Sequence, residues 1–191
     1  MTSIIVDYIS NFVDLDEREI SAIKEGIPIK NFKKGTILLR EGQVSKMAFF
    51  NLKGCVRSYG LFNGEEKTTF FYLENRFITS MRSFTQQVPA AHYLECIEDC
   101  TLGLLSYDTE KRLLQTFPKF EFLSRLLLEE ELGNYQEMLS SYIMTNPERR
   151  YLNLIQNHPE LKERIPQYHL ATYLGITPES LSRIRKRLST K

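Results

Sequence analysis

Residues 166–188 read PQYHLATYLGITPESLSRIRKRL, and this stretch decides the fold. Leu170, Ala171 and Leu174 fall on one side of a helix predicted over 167–174, and Ala171 is small enough for a second helix to cross closely. Gly175 stands just past that helix, where a positive φ is usually needed to end it, and Ile176 plugs the corner. Thr177 can cap a second helix over 178–188, with Pro178 at its first position and Ser180 at its third. Leu181, Ile184 and Leu188 then turn inward, which leaves Pro178, Glu179, Ser182, Arg183 and Lys186 outside.

Two helices joined in this way make a helix-turn-helix, whose second helix enters the major groove with its early residues at the base edges. Glu179, Arg183, Ser182 and Pro178 are the expected base-reading residues. Arginine suits guanine O6 and N7, and glutamate suits the cytosine amino group. Thr177, Ser180, Arg185, Lys186 and Arg187, with Tyr168 and His169 from the first helix, are the expected phosphate contacts. An ordinary αα-hairpin with a solvated outer face shares part of this pattern. Charge favours the nucleic acid: the chain has a net charge of +1, but residues 147–191 hold nine Lys or Arg against four acids, so the rest is acidic.

Upstream, Asn146-Pro147 closes one helix and opens another over 147–157. Before it, a helix of about 28 residues, roughly 40 Å long, is predicted from Pro118 to Thr145. Leu123, Leu127, Tyr135, Met138 and Tyr142 form one stripe on it, with Leu128, Leu132, Leu139 and Ile143 beside them. A helix apolar over more than one face is either sandwiched in its own core or paired with a twin, and the second reading makes the first stripe a dimer surface.

From 28 to 107 the texture is β. Strands are predicted at 29–33, 36–39, 47–52, 55–61, 67–72, 92–97 and 101–106, separated by glycine turns, which is the pattern of an antiparallel sandwich or barrel. Asn63-Gly64 is the clearest hairpin turn, because both residues tolerate the positive φ of type I′. Residues 3–25 read as one or two short helices. The fold class is therefore α+β, divided into a β-rich part with N-terminal helices at 1–116, a dimerisation helix at 117–146 and a helix-turn-helix part at 147–191.

Composition excludes other classes. The chain has 191 residues, 42% of them hydrophobic, so it can bury a core, and no run approaches the length of a membrane span. Acids appear early (Asp7, Asp14, Asp16) and no basic region precedes them, so the N-terminus does not read as a signal peptide and a cytoplasmic location is expected. Cys55, Cys96 and Cys100 read as buried structural residues, with a redox or metal role as the alternative. No cofactor or metal is expected. An enzyme on a cupin-like roll needs a histidine and carboxylate cluster, and His92, His158 and His169 are the only histidines.

Taken in order, β-roll, long helix and helix-turn-helix resemble the Crp–Fnr family of bacterial regulators over nearly the whole chain. Gly35, Leu39, Glu41-Gly42, Phe49, Gly54, Val56-Arg57 and Gly64-Glu65 look like roll-defining positions, and Glu179 and Arg183 fall on the family's base-reading pair. Pro178 stands where many members have another arginine, as in a subgroup that LATYLGITPESLSRIRK resembles. The resemblance makes 1–116 a sensor roll and 147–191 a winged-helix-type DNA-binding domain. It implies a homodimer on double-stranded DNA, with RNA polymerase a further partner and a small-molecule effector in the roll. The cyclic-nucleotide cassette is degenerate: Phe77-Ile78-Thr79-Ser80-Met81-Arg82 lacks the Gly-Glu pair, and Ala90-Ala91 occupy the arginine's place. The regulator is therefore expected to take an unidentified effector other than cyclic AMP or GMP, or none, and the candidate effector pocket is Phe71, Phe77, Thr79, Arg82 and His92. The alternative is a small-molecule sensor whose helical C-terminal part contacts protein.

Overall fold

The computed structural model describes residues 2–189. Helices α1 (Thr2–Ser10) and α2 (Glu17–Gly26) precede strands β1 (Ile29–Phe32), β2 (Ile37–Leu39), β3 (Met47–Lys53), β4 (Val56–Phe62), β5 (Glu65–Tyr72) and β6 (Arg76–Ile78). Helix α3 (Met81–Gln86), strands β7 (Tyr93–Cys96) and β8 (Cys100–Ser106), and helices α4 (Tyr107–Thr116) and α5 (Lys119–Met144) follow. The chain continues with α6 (Pro147–Asn157), α7 (Leu161–Arg164), α8 (Gln167–Tyr173) and α9 (Pro178–Ser189). The expected strands are all present, shifted by a residue or two at their ends. Strand β6 and helices α3, α4 and α7 were not expected. Among the described residues after 147 every element is helical, so the strands of a wing are not among them.

The strands form two four-stranded sheets, ordered β1-β8-β3-β6 and β2-β7-β4-β5, the jelly-roll arrangement. Asn63 and Gly64 take φ of 53° and 79°, so the β4–β5 connection is the positive-φ turn that the dipeptide demands.

The molecule packs as two compact units, one of residues 1–58 and 71–130, the other of 59–70 and 131–191. In the first unit, Phe50 pairs with Phe77 across β3 and β6, while Phe49 pairs with Ile78. Successive strand residues face opposite ways. Phe50 and Phe77, rings 5.0 Å apart, therefore meet a helical layer that includes Ile5, Ile9, Ile23, Ile27, Phe120 and Leu123. Phe49 and Ile78, both buried, face the other side of the sheet. Helix α2 begins in a complete capping box: Asp16 accepts from the Glu19 amide, and the Glu19 carboxylate accepts from that of Asp16. Lys119 at the start of α5 donates to the same Glu19 carboxylate at 2.8 Å. Inside the roll's second sheet, Arg57 Nε donates to Glu95 Oε2 at 2.8 Å. Leaving either charge without its partner there costs several kcal/mol, about 3–5.

Candidate nucleic-acid interface

In the second unit, Leu170, Ala171, Leu174 and Leu181 are buried with Tyr151, Leu161 and Ile165, so the inward side read from the sequence is the core of the helix-turn-helix. Helix α8 ends in a Schellman motif: the Ile176 amide donates to Ala171 O at 3.0 Å and the Gly175 amide to Thr172 O at 3.1 Å, with Gly175 at φ +71°. Thr177 caps α9, its hydroxyl oxygen accepting from the Ser180 amide at 3.3 Å.

Pro178, Glu179, Ser182 and Arg183 are all exposed. A hydrogen bond from its own backbone amide and the charge of Arg183 hold the Glu179 carboxyl below the usual range. It therefore stays an anionic acceptor, as pairing with a cytosine amino group requires.

The expected phosphate contacts divide. Tyr168 is 55% exposed and Lys186 is exposed. His169 is 5% exposed, its ring 3.9 Å from that of Tyr168, so it does not reach a phosphate and its assignment is withdrawn. Arg185 is half-buried on a cleft of about 710 Å³ shared with Tyr151, Leu152 and Ile155 on α6. The helical turn that sends Leu181 and Leu188 inward carries Arg185 part of the way with them, so it too is a poor phosphate ligand. Arg187 is ion-paired with Glu148 at the start of α6. Ser180 accepts a hydrogen bond from Arg183.

No local pattern marks what Arg150 does. Its Nη1 donates to Tyr142 O at 2.9 Å and Thr145 O at 2.7 Å, and its Nη2 donates to Leu174 O at 3.0 Å. The guanidinium lies 4.1 Å from the centre of the Tyr142 ring. One side chain thus ties the end of α5, the start of α6 and the turn after α8. A second tie joins β5 to α8: the Thr172 hydroxyl donates to Thr68 Oγ1 at 3.1 Å and accepts from the Thr68 amide at 3.3 Å. Tyr135 meets Phe70 of the same strand, ring centres 5.3 Å apart.

Two sets of assignments need correction. Leu123 is 6% exposed and belongs to the helical-layer core, and Leu127 packs against it, so neither is on a free surface. Tyr135 and Tyr142 of the expected stripe are exposed, and they make a ridge on α5 with Leu128, Leu132 and Leu139 from beside it. Met138 is half-buried. In the candidate effector pocket, Phe77 faces the helices, 6.1 Å from the Tyr8 ring, and is removed from it. Phe71 is buried, and Thr79 is half-buried with its hydroxyl oxygen lacking a hydrogen-bond partner. Arg82 is exposed, and burial lowers the pKa of the half-buried His92. All three cysteines are buried and unpaired in disulfides. A hydrogen bond with Cys100 and burial hold the Cys96 thiol well above its ordinary range. Among the described residues, no group of three His, Cys, Asp or Glu could hold a metal ion, and no helix is long and apolar enough to cross a membrane.

Residues 29–117 match the family model of the cyclic nucleotide-binding domain. The chain is 24% identical over 187 residues to the anaerobic regulatory protein of Pasteurella multocida (strain Pm70), covering 91% of this chain and 68% of that protein. Among solved structures, it is similar to the c-di-GMP responsive global regulator CLP of Xanthomonas campestris, with a TM-score of 0.73, 17% identity and 92% of each chain covered. It is also similar to a Eubacterium rectale protein assigned to the Crp/Fnr family of transcriptional regulators, with a TM-score of 0.74, 15% identity, and 96% of this chain and 88% of that one covered. At these identities the structural likeness is one of fold.

Proposed function

We infer that this chain, whose residues 29–117 match the cyclic nucleotide-binding domain, is a sequence-specific DNA-binding transcription regulator of the Crp–Fnr type that acts as a homodimer. Its functional parts are the sensor roll at 1–116, the connecting helix at 117–146 and the reader at 147–191. The observation that carries the reading is the exposed pair Glu179 and Arg183, one helical turn apart on a capped helix set by a Schellman turn. Such a helix presents an acceptor and a bidentate donor to adjacent base edges. Lys186 and Tyr168 are the remaining cationic and polar groups placed to hold phosphates.

Dimerisation follows from α5. Leu128, Leu132, Tyr135, Leu139 and Tyr142 are spaced four, three, four and three, the a/d repeat of a two-stranded coiled coil. Two recognition helices would then meet half-sites about 34 Å apart on a two-fold symmetric site. The roll's effector is a small molecule other than cyclic AMP, since the Gly-Glu pair and the arginine of the nucleotide cassette are missing. It acts by shifting the population of dimers whose helices hold the readers at that spacing.

The test is selection from random duplexes by the purified protein beside an Arg183→Ala variant, with cell extract added in a parallel arm. Enrichment of a two-fold symmetric site, lost in the variant, is the expected result. No enrichment in either arm, or salt-insensitive binding, would sink the reading in favour of a C-terminal part that contacts protein.

A further inference from the structure

The position of Ser180 suits a phosphate contact, but its hydroxyl is already engaged. Arg183 Nη2 donates to Ser180 Oγ at 3.1 Å, and the Thr177 hydroxyl donates to the same oxygen at 3.2 Å. The Ser180 amide in turn donates to Thr177 Oγ1 at 3.3 Å. Residues 177, 180 and 183 are each three apart, so they stand above one another on one helix face. The result is a hydrogen-bonded string running from the cap of α9 to the arginine assigned to read a base. An unrestrained arginine loses much rotamer freedom on docking its planar fork against guanine, and a partner that holds it beforehand removes part of that cost. Ser180 takes one of the five guanidinium donors through a single nitrogen and leaves others for a base.

The geometry points to Ser180 as a positioning residue for Arg183: a determinant of sequence specificity that acts through the arginine rather than by gripping the backbone. This rests on the reading of α9 as a DNA recognition helix. The two roles separate cleanly. Loss of a phosphate contact weakens binding to every sequence alike. Loss of positioning weakens discrimination at one base pair and leaves the salt slope alone.

The experiment uses the full chain and the duplex it selects, with the base pair that loses preference in Arg183→Ala changed to each alternative. Ser180→Ala should lower discrimination at that base pair by roughly three- to tenfold, the worth of one hydrogen bond to a charged group part-screened by water. The salt slope should not change, and Ser180→Thr should restore discrimination. In the absence of DNA, side-chain NMR relaxation should show the Arg183 guanidinium more mobile in Ser180→Ala than in the parent. A uniform loss across all sequences, with discrimination at that base pair unchanged, identifies a phosphate contact and overturns the proposal. So does an Arg183 whose mobility and discrimination match the parent's. If the parent protein enriches no site, the recognition helix itself is misassigned and the proposal falls with it.

Discussion

The hydroxyl of Tyr142 lies where the side chain of any larger residue at position 175 would begin: a Cβ built on Gly175 falls 2.5 Å from Tyr142 Oη. The last turns of α5 therefore close directly over the turn of the helix-turn-helix, and Arg150 locks the pair by stacking on the tyrosine and bonding Leu174 O.

Two penalties fall together on Gly175→Ala. The left-handed backbone costs an L-residue about 1–2 kcal/mol, and overpacking against Tyr142 adds about 1 or more. Urea denaturation should show a loss of that order. Adding Tyr142→Phe should recover the overpacking share and leave the backbone share. A double variant no more stable than Gly175→Ala would show that the hydroxyl is not the obstacle.

Glu148 is ion-paired with Arg187, which the proposed function would turn to a DNA phosphate. The two side chains are 31% and 59% exposed, so the pair itself contributes little to stability. Glu148→Gln should release the arginine to a phosphate and steepen the plot of log affinity against log salt by about 0.9. Parallel plots for the two proteins would mean that Arg187 does not meet the backbone.

The ridge and the core of α5 give opposite phenotypes. Leu139→Glu places a charge on the exposed a/d ridge and should yield a folded monomer by sedimentation velocity. Leu123→Ala should keep the parent's oligomeric mass and lose about 2–5 kcal/mol of stability, as for a buried leucine cut to alanine. Swapped outcomes would return Leu123 to the dimer surface.

Burial raises the pKa of Glu110 on α4. The folded state then binds its proton more tightly than the unfolded chain does, so this group favours folding below the unfolded pKa and opposes it as pH rises through the folded value. Glu110→Gln should therefore raise the melting temperature at pH 7.5 and change it less at pH 4. An equal shift at both would remove burial as the cause.

How far the sequence carries can be judged from single residues. The helix-turn-helix was legible because its signals are local: Gly175, Thr177 and Pro178 each act on backbone within a turn of themselves. Phe77 was misplaced because it was assigned from the resemblance of 77–82 to a nucleotide cassette with no strand predicted there, and on β6 it is Ile78, not Phe77, that takes the face away from the helices. Leu123 and Leu128 were confused for another reason. An all-round apolar helix shows two stripes, and only the packing of α1 and α2 decides which is used up. Helix α4 did carry a signal, since Ser106 accepts from the Thr109 amide with Asp108 and Glu110 in the first turn, but it sits directly between a strand ending at 106 and a helix opening at Pro118, and the sequence reading gives 107–117 no element. Arg150 was invisible, because its partner carbonyl on Leu174 is 24 residues away and no pattern records that distance.

The bond between Thr68 and Thr172 bears on how such a regulator can be taken apart. A strand of the roll and the first helix of the reader share one hydroxyl, and residues 59–70 pack in the same unit as 131–191. The boundary between the two packing units is therefore not a single place along the chain where it can be cut. A graft of residues 147–191 onto another roll would leave Thr172 facing a foreign hairpin, so a working chimera has to carry the Asn63-Gly64 hairpin with it, and the two would be inherited as one piece.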